Sequence, residues 1–273
     1  DVYKRQAYSQ LRQISQSVGV VLCPNPSYSS LEGTNSYVIK AEGDSRSIVI
    51  DPGPEDEGHL NVLQRYAGDV ALILLTHRHG DHADGAARFR QLTGAPIREL
   101  ESQYCAGGQD PLVDGERIVL DGVTPQIEVV ATPGHTADSV CYFIHTGDGE
   151  DDVEGIVTGD TIAGRHTTMI SETDGDLGKY METLEMLDTR GKGVRLLPGH
   201  GADLPDITVM TQKYIERRKL RLQQVKDAVA KLGDEATVDQ IVDEIYTDVD
   251  PVLRHAAEQS TRVTLRYLRD HGE

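Results

Sequence analysis

The segment Thr76-His77-Arg78-His79-Gly80-Asp81-His82 carries three imidazoles and a carboxylate within seven residues. Nitrogen and oxygen donors of this kind suit Zn²⁺ and do not exclude iron or manganese, so the chemistry on offer is metal binding. His77 and His79 are two apart and share a direction in extended backbone. Asp81 and His82 are adjacent and cannot share it, which speaks for two ions rather than one. Single donors then follow in order: His135 in Thr-Pro-Gly-His-Thr, Asp160 in Gly-Asp, and His200 in Leu-Pro-Gly-His-Gly. A Gly-Asp pair alone is an ordinary turn. Four fragments in order, each after a short apolar run, form a joint signal.

Those runs are the elements that must position the donors. Residues 70–75 (VALILL), 126–130, 155–158 and 194–196 read as strands, and each ends at a donor fragment. Open α/β sheets place their sites at such carboxyl ends. Further strands are expected over 18–22, 37–39 and 47–50, with helices over 59–66, 83–92 and 177–187. Between 97 and 157 short apolar runs alternate with Gly, Asp and Pro turns, including an acidic turn at 147–154. After Pro205 the period changes. A long helix is expected over 207–232, with Leu222, Val225, Val229 and Leu232 on one face. Thr237 caps a second helix through Tyr246, and Asp250-Pro251 opens a third through Leu268. The expected domains are an N-terminal extension over 1–17, disordered or extraneous in part, a catalytic domain over 18–205 and a helical domain over 206–273.

The chain resembles the metallo-β-lactamase superfamily, whose H-x-H-x-D-H motif is matched by His77, His79, Asp81 and His82 and whose later single ligands are matched by His135, Asp160 and His200. The resemblance runs from about Leu22 to Leu268. Within the superfamily the chain is most similar to the β-lactamase-like protein 2 group, through Gly159-Asp160-Thr161-Ile162, Asp174-Gly175-Asp176-Leu177-Gly178-Lys179-Tyr180 and the helical tail. The implied fold is an α/β protein, an αββα sandwich with a small all-helical, winged-helix-like C-terminal domain. The implied site holds one ion on His77, His79 and His135 and a second on Asp81, His82 and His200, with Asp160 bridging. Two close divalent ions lower the pKa of a bridging water from ~15.7 to about 7. Asp81 would orient that hydroxide as well as bind metal. Asp51 is the candidate for a carboxylate that fixes a ligand imidazole, or else it caps its own Pro-Gly turn. Thr76 and Thr132, which precede ligands, either serve the same purpose or simply end their strands.

The expected activity is hydrolysis. The β-lactamase-like protein 2 resemblance implies phosphodiester cleavage in single-stranded RNA, and a likeness to glyoxalase II implies thioester cleavage instead. A non-catalytic scaffold, or a nucleic-acid-binding protein acting through its tail, is the alternative from another class. Arg217, Arg218, Lys219 and Arg221 make the one dense basic run; Arg217 and Arg221 share a helical face and could hold an anionic part of the substrate.

Composition bounds the partners. With 27 basic and 45 acidic residues the net charge is −18, so an extensive duplex nucleic-acid face is not expected. The charge is uneven: residues 206–273 carry 11 basic and 13 acidic side chains and are nearly neutral. The tail is not followed by a β-wing before Glu273, so it is expected to support the site rather than read sequence. Cys23, Cys105 and Cys141 form no C-x-x-C and no disulfide framework, which points to a reducing compartment. With no leader-like segment and no long apolar stretch, a cytoplasmic protein without membrane contact is expected.

Overall fold

Apolar residues alternate along the strands, and the alternation sorts them between two interfaces. The structure is a computed structural model and describes residues 8–147, 149, 152–233, 235–247 and 253–272. Strands β1 (Leu11–Gln13), β2 (Val18–Leu22), β3 (Asn35–Ile39), β4 (Ser47–Ile50), β5 (Val70–Leu74) and β6 (Ile97–Arg98) form one sheet in chain order. Strands β7 (Arg117–Leu120), β8 (Val123–Ala131), β9 (Val140–His145), β10 (Val153–Gly159) and β11 (Leu196–Pro198) form a second, in the order β11-β10-β9-β8-β7. Successive residues on a strand face opposite ways. Val20, Tyr37, Ile50 and Leu74 of the first sheet therefore meet Ile127, Val129, Tyr142 and Val157 of the second in a core between the sheets.

The residues in between pack outward. Val21, Val38, Val49 and Ile73 lie against Leu60 and Leu63 of α1 (Glu57–Ala67) and Phe89 of α3 (Ala86–Thr93). Val130, Cys141, Phe143 and Ile156 lie against Tyr180, Leu184 and Leu187 of α4 (Leu177–Arg190) and Met210 and Tyr214 of α5 (Thr208–Leu232). Helix, sheet, sheet, helix is the αββα order. The tail has its own small core, in which Val225 and Ala228 of α5 meet Ile241 of α6 (Val238–Ile245) and Leu268 of α7 (Arg254–Asp270).

Local chemistry sets several element ends. Asp56 and Asp176 accept from the backbone of α1 and α4, and Thr237 with Gln240 closes a capping box on α6. The helix expected over 83–92 is two pieces, α2 (Gly80–Ala83) and α3, broken at Asp84-Gly85. Residues 11–13, read as part of an extension, pair with β2 as an edge strand. Residues 1–7, part of the acidic turn and the Asp250-Pro251 helix start lie outside the described residues.

Candidate metal centre

Both sheets deliver strand ends to one place. β5 runs into Thr76 and His77, β8 into the loop bearing His135, β10 into Asp160 and β11 into His200. The glycines before the last two donors are steric necessities. Gly159 sits at φ +49°, and a Cβ there would lie 2.4 Å from Thr76 Oγ1. A Cβ on Gly199 would lie 2.7 Å from His82 Cε1. Backbone can approach the cluster this closely only without a side chain.

The donors gather in two groups, His77, His79, His135 and Asp160 in one and Asp81, His82 and His200 in the other, with donor atoms in each within 4.8 Å of one another. In the first, His77 Nε2 lies 3.0 Å and His135 Nε2 3.1 Å from His79 Nδ1. In the second, His200 Nε2 lies 3.2 Å from His82 Nε2 and 3.1 Å from Asp81 Oδ2. Asp160 faces both: Oδ1 is 3.4 Å from His82 and 3.3 Å from His200, while Oδ2 is 3.7 Å from His135.

The outer hydrogen bonds show that these residues fit a cation. His82 Nδ1 donates to Asp51 Oδ2 at 2.7 Å, His200 Nδ1 to the Gly33 carbonyl at 3.1 Å, and His135 Nδ1 to the Met169 carbonyl at 2.8 Å. A neutral imidazole has one N–H. With that proton turned outward, the Nε2 of each ring that is neutral presents an inward lone pair to the other donors. Asp160 Oδ1 is buried without a hydrogen-bond partner in the same space. A divalent cation among these donors would turn that repulsion into coordination.

Residues 30–200, which contain every one of these donors, match the metallo-β-lactamase superfamily, and residues 237–273 match the β-lactamase-associated winged helix domain. The chain belongs to the metallo-β-lactamase superfamily. Among its relatives in the superfamily, the lactamase-like protein nscB of Neosartorya fischeri is 31% identical over 80% of this chain and 63% of its own length. This chain thus spans under two thirds of that relative. An atrochrysone carboxyl ACP thioesterase of Aspergillus fumigatus is 28% identical over 94% of this chain and 80% of its own. A β-lactamase-like protein 2 homolog of Caenorhabditis elegans is 26% identical over 96% and 87%. Among solved structures, a β-lactamase domain protein from Burkholderia ambifaria superposes with a TM-score of 0.79 at 17% identity, covering 100% of this chain and 94% of that one. A protein named TTHA1623, solved in a di-iron-bound form, gives 0.51 at 21% identity over 68% and 92%.

Charge in this superfamily site is set by burial and by neighbours. Burial, with the other imidazoles adding to it, holds His77 and His79 below the ordinary histidine range. Burial would also lower His82, but Asp160 and Asp51 outweigh it and hold His82 well above that range. Burial would raise Asp160, yet His82 and His200 keep it well below the usual carboxylate range. Without an ion, a proton on His82 answers the carboxylates. An ion answers them with more charge.

Asp51 turns its side chain to the His82 imidazole and Thr76 rather than to its own Pro52-Gly53 turn. It stands at φ +52°, rare for a residue with a side chain, just after β4. From there Oδ2 receives His82 Nδ1 and the Thr76 hydroxyl at 2.6 Å, and Oδ1 receives the Thr76 backbone N–H at 2.8 Å. Thr132 instead reaches Cys141 and Thr161 and touches no donor.

The basic run goes elsewhere than the sequence suggested. Arg221 lies 3.9 Å above the Tyr246 ring of the tail. Together with Arg217 it lines a surface cleft of about 400 Å³ that contains no member of the metal cluster. Arg218, one position round the helix, turns to the Thr168 carbonyl and the Tyr180 ring. Thr168 in turn donates its hydroxyl to the Asp160 carbonyl at 2.7 Å. His166 sits at φ +65° on the adjoining loop and stacks on the exposed Tyr28.

Sequence reasoning missed the carboxylates that surround Arg78, namely Asp138, Asp174 and Glu101. Their only signal was a cation placed inside an otherwise metal-binding motif. The cysteines offer no competing chemistry: burial pushes the Cys23 and Cys141 thiols up to about 12, so neither is a ready nucleophile.

Proposed function

We propose that this chain is a dinuclear metal-dependent hydrolase whose substrate is a thioester or a related small ester. The observation that carries the two-ion reading is Asp160, whose two oxygens face different donor groups. His77, His79 and His135 would hold one ion, Asp81, His82 and His200 the other, and Asp160 both. Zinc, iron and manganese all suit nitrogen and oxygen donors. Two such ions, when bound, lower the pKa of a water and stabilise oxygen charge as the substrate is attacked.

The protein supplies position. Asp51 fixes the His82 ring, the Gly33 carbonyl fixes His200 and the Met169 carbonyl fixes His135. Asp81, 34% exposed against 0% for His82 and 2% for His200, stands nearest solvent in its group. It is the residue that meets entering water and substrate and accepts a proton from the water at its carboxylate.

Thioester cleavage is favoured over cleavage of RNA by where the basic residues go. Polyanion binding rests on several free cations along a groove. Here Arg218 and Arg221 are engaged with Thr168, Tyr180 and Tyr246. The relative named as an acyl-carrier-protein thioesterase also aligns with 94% of the chain. The test is a parallel assay of metal-loaded protein on an acyl-carrier-protein thioester, S-lactoylglutathione, single-stranded RNA, a bis-aryl phosphodiester and a cephalosporin. Turnover of a thioester, lost in Asp81→Asn, is expected. Cleavage of RNA alone would replace the substrate reading. Partner binding with no turnover of any substrate would favour a scaffold.

A further inference from the structure

We infer that Arg78 is a positioning residue for the His77, His79 and His135 group, and that the last helix of the tail acts on that group through it. This rests on the two-ion reading above.

The two donor groups differ in what stands behind them. His82, His200 and His135 each have an outward hydrogen bond, and His77 has the Thr76 hydroxyl at 3.1 Å. Among the described residues, the His79 ring has hydrogen-bond contacts only with His77 and His135, inside the cluster. Its ring is therefore placed by its backbone, whose carbonyl accepts from the His82 and Ala83 N–H groups at 2.9 Å, while Arg78 anchors the chain immediately before it.

Arg78 donates its own N–H to Asp138 Oδ2 at 2.8 Å. Its guanidinium then reaches three carboxylates: Asp174 Oδ2 at 2.5 Å, Asp138 Oδ1 at 3.0 Å and Glu101 Oε1 at 3.4 Å. A planar fork of five donors can hold several acceptors at once, which an ammonium cannot do with the same rigidity. The Asp138 side chain is fully buried and stands three positions after His135. Asp174 also receives the Ala137 backbone N–H at 3.4 Å. One side chain thus ties the turn that carries His79 to the loop that carries His135.

The same hub extends into the tail. Arg266 of α7 donates to the carbonyls of Glu172 at 2.8 Å and Gly175 at 2.5 Å, on either side of Asp174. Arg262, one turn earlier, pairs with the Glu172 carboxylate at 3.7 Å. A continuous set of contacts therefore runs from α7 through the 172–175 loop and Asp174 to Arg78 and the His79 turn. The braces of the other group, Asp51 and the Gly33 carbonyl, take no part in it.

The test is Co²⁺ titration of the full, metal-stripped chain, followed by d–d absorption and by competition with a chelator. His135→Ala serves to assign the first-group ion. The unaltered chain must take up two ions; one or none would defeat the two-ion reading itself. Given two, Arg78→Met should weaken the first-group ion by about 10–100-fold, the usual cost of losing a ligand's support, and leave the second within about twofold. Arg78→Lys should recover part of the loss. Arg266 is half-buried on the tail and lies outside both sheets, and Arg266→Gln keeps a hydrogen-bond donor there, so it decides the matter if Arg78→Met fails to fold. It should weaken the same ion several-fold, and that effect should vanish in an Asp174→Asn background. Equal weakening of both ions by Arg78→Met, or unaltered metal binding in Arg266→Gln, would overturn the inference.

Discussion

His82 and His200 are held from inside the fold, whereas His79 is held from its rim. Behind the first pair stand a buried carboxylate on a left-handed residue and a backbone carbonyl, both rigid consequences of how β4 ends and β3 begins. Behind His79 stands a guanidinium whose side chain is 25% exposed, shared among three loops and connected to the tail. A core-braced ligand is as stable as the sheet that supports it. A rim-braced ligand is as stable as a network of ion pairs, and such networks respond to salt, to pH and to a neighbouring domain. The superfamily motif places both kinds of ligand within six residues of one turn.

Removing Asp160 should erase the contrast altogether. Asp160→Ala is expected to weaken both ions by more than the ~100-fold that losing an outer support costs, because each loses a direct ligand. Chelator competition reads this, and loss of one ion with the other untouched would mean that Asp160 does not bridge.

Asp51→Asn should give the opposite selectivity to the loss of Arg78. The buried negative partner of His82 disappears, so the Asp81, His82 and His200 ion should weaken by about 10–100-fold and the other ion by less. If both fall together, the shared contact through Thr76 dominates and the two groups are one mechanical unit.

The rim network should carry a pH signature of its own. Glu99 is fully buried beside Asp138, and burial, with the Asp138 charge adding, pushes its carboxyl up to about 8. A raised folded-state pKa means that the folded protein holds a proton the unfolded chain has released. Its contribution is complete below about 4.5, the ordinary glutamate value, and is lost as pH rises through 8. The slope is at most about 1.4 kcal/mol per pH unit. Glu99→Gln should flatten that part of the stability–pH curve in chemical denaturation; an unchanged curve would place the proton elsewhere.

The smallest effect is expected at Arg221. Arg221→Ala removes the stacking on Tyr246 and should cost the tail about 0.5–2 kcal/mol, with KM for an anionic substrate unchanged. A several-fold rise in KM would restore it to the substrate site.

The donors were legible because their residue types are scarce and their spacing is local. The helices after Pro205 were legible for a related reason: their caps and apolar faces repeat every turn. The carboxylates around Arg78 were not. Among 45 acidic residues nothing in sequence marks Asp138, or Asp174 within its subgroup motif, as a partner of Arg78, since that partner arrives through tertiary packing. Helix phase hid the basic run in the same way. Arg217 and Arg221 line one cleft beside the tail, while Arg218, about 100° round the helix from Arg217, reaches Thr168 next to Asp160. The edge pairing of Leu11–Gln13 was invisible because three mostly polar residues carry no period.

The strand ends that meet at the cluster belong to two separate sheets, and His82 and His200 stand 118 positions apart along the chain. An ion held by both, as proposed, would form a clasp across the seam of the sandwich. Closing so long a loop removes far more freedom from the unfolded chain than any local contact does. At that seam the backbone contributes its own stitches, Val140 N–H to the Thr76 carbonyl and Asn35 N–H to the Gly199 carbonyl, both at 2.8 Å. Parting the sheets requires releasing metal and stitches together. The catalytic centre is therefore also the place where the molecule resists being pulled open, and stripping its ions should hasten protease attack along the whole seam rather than at one loop.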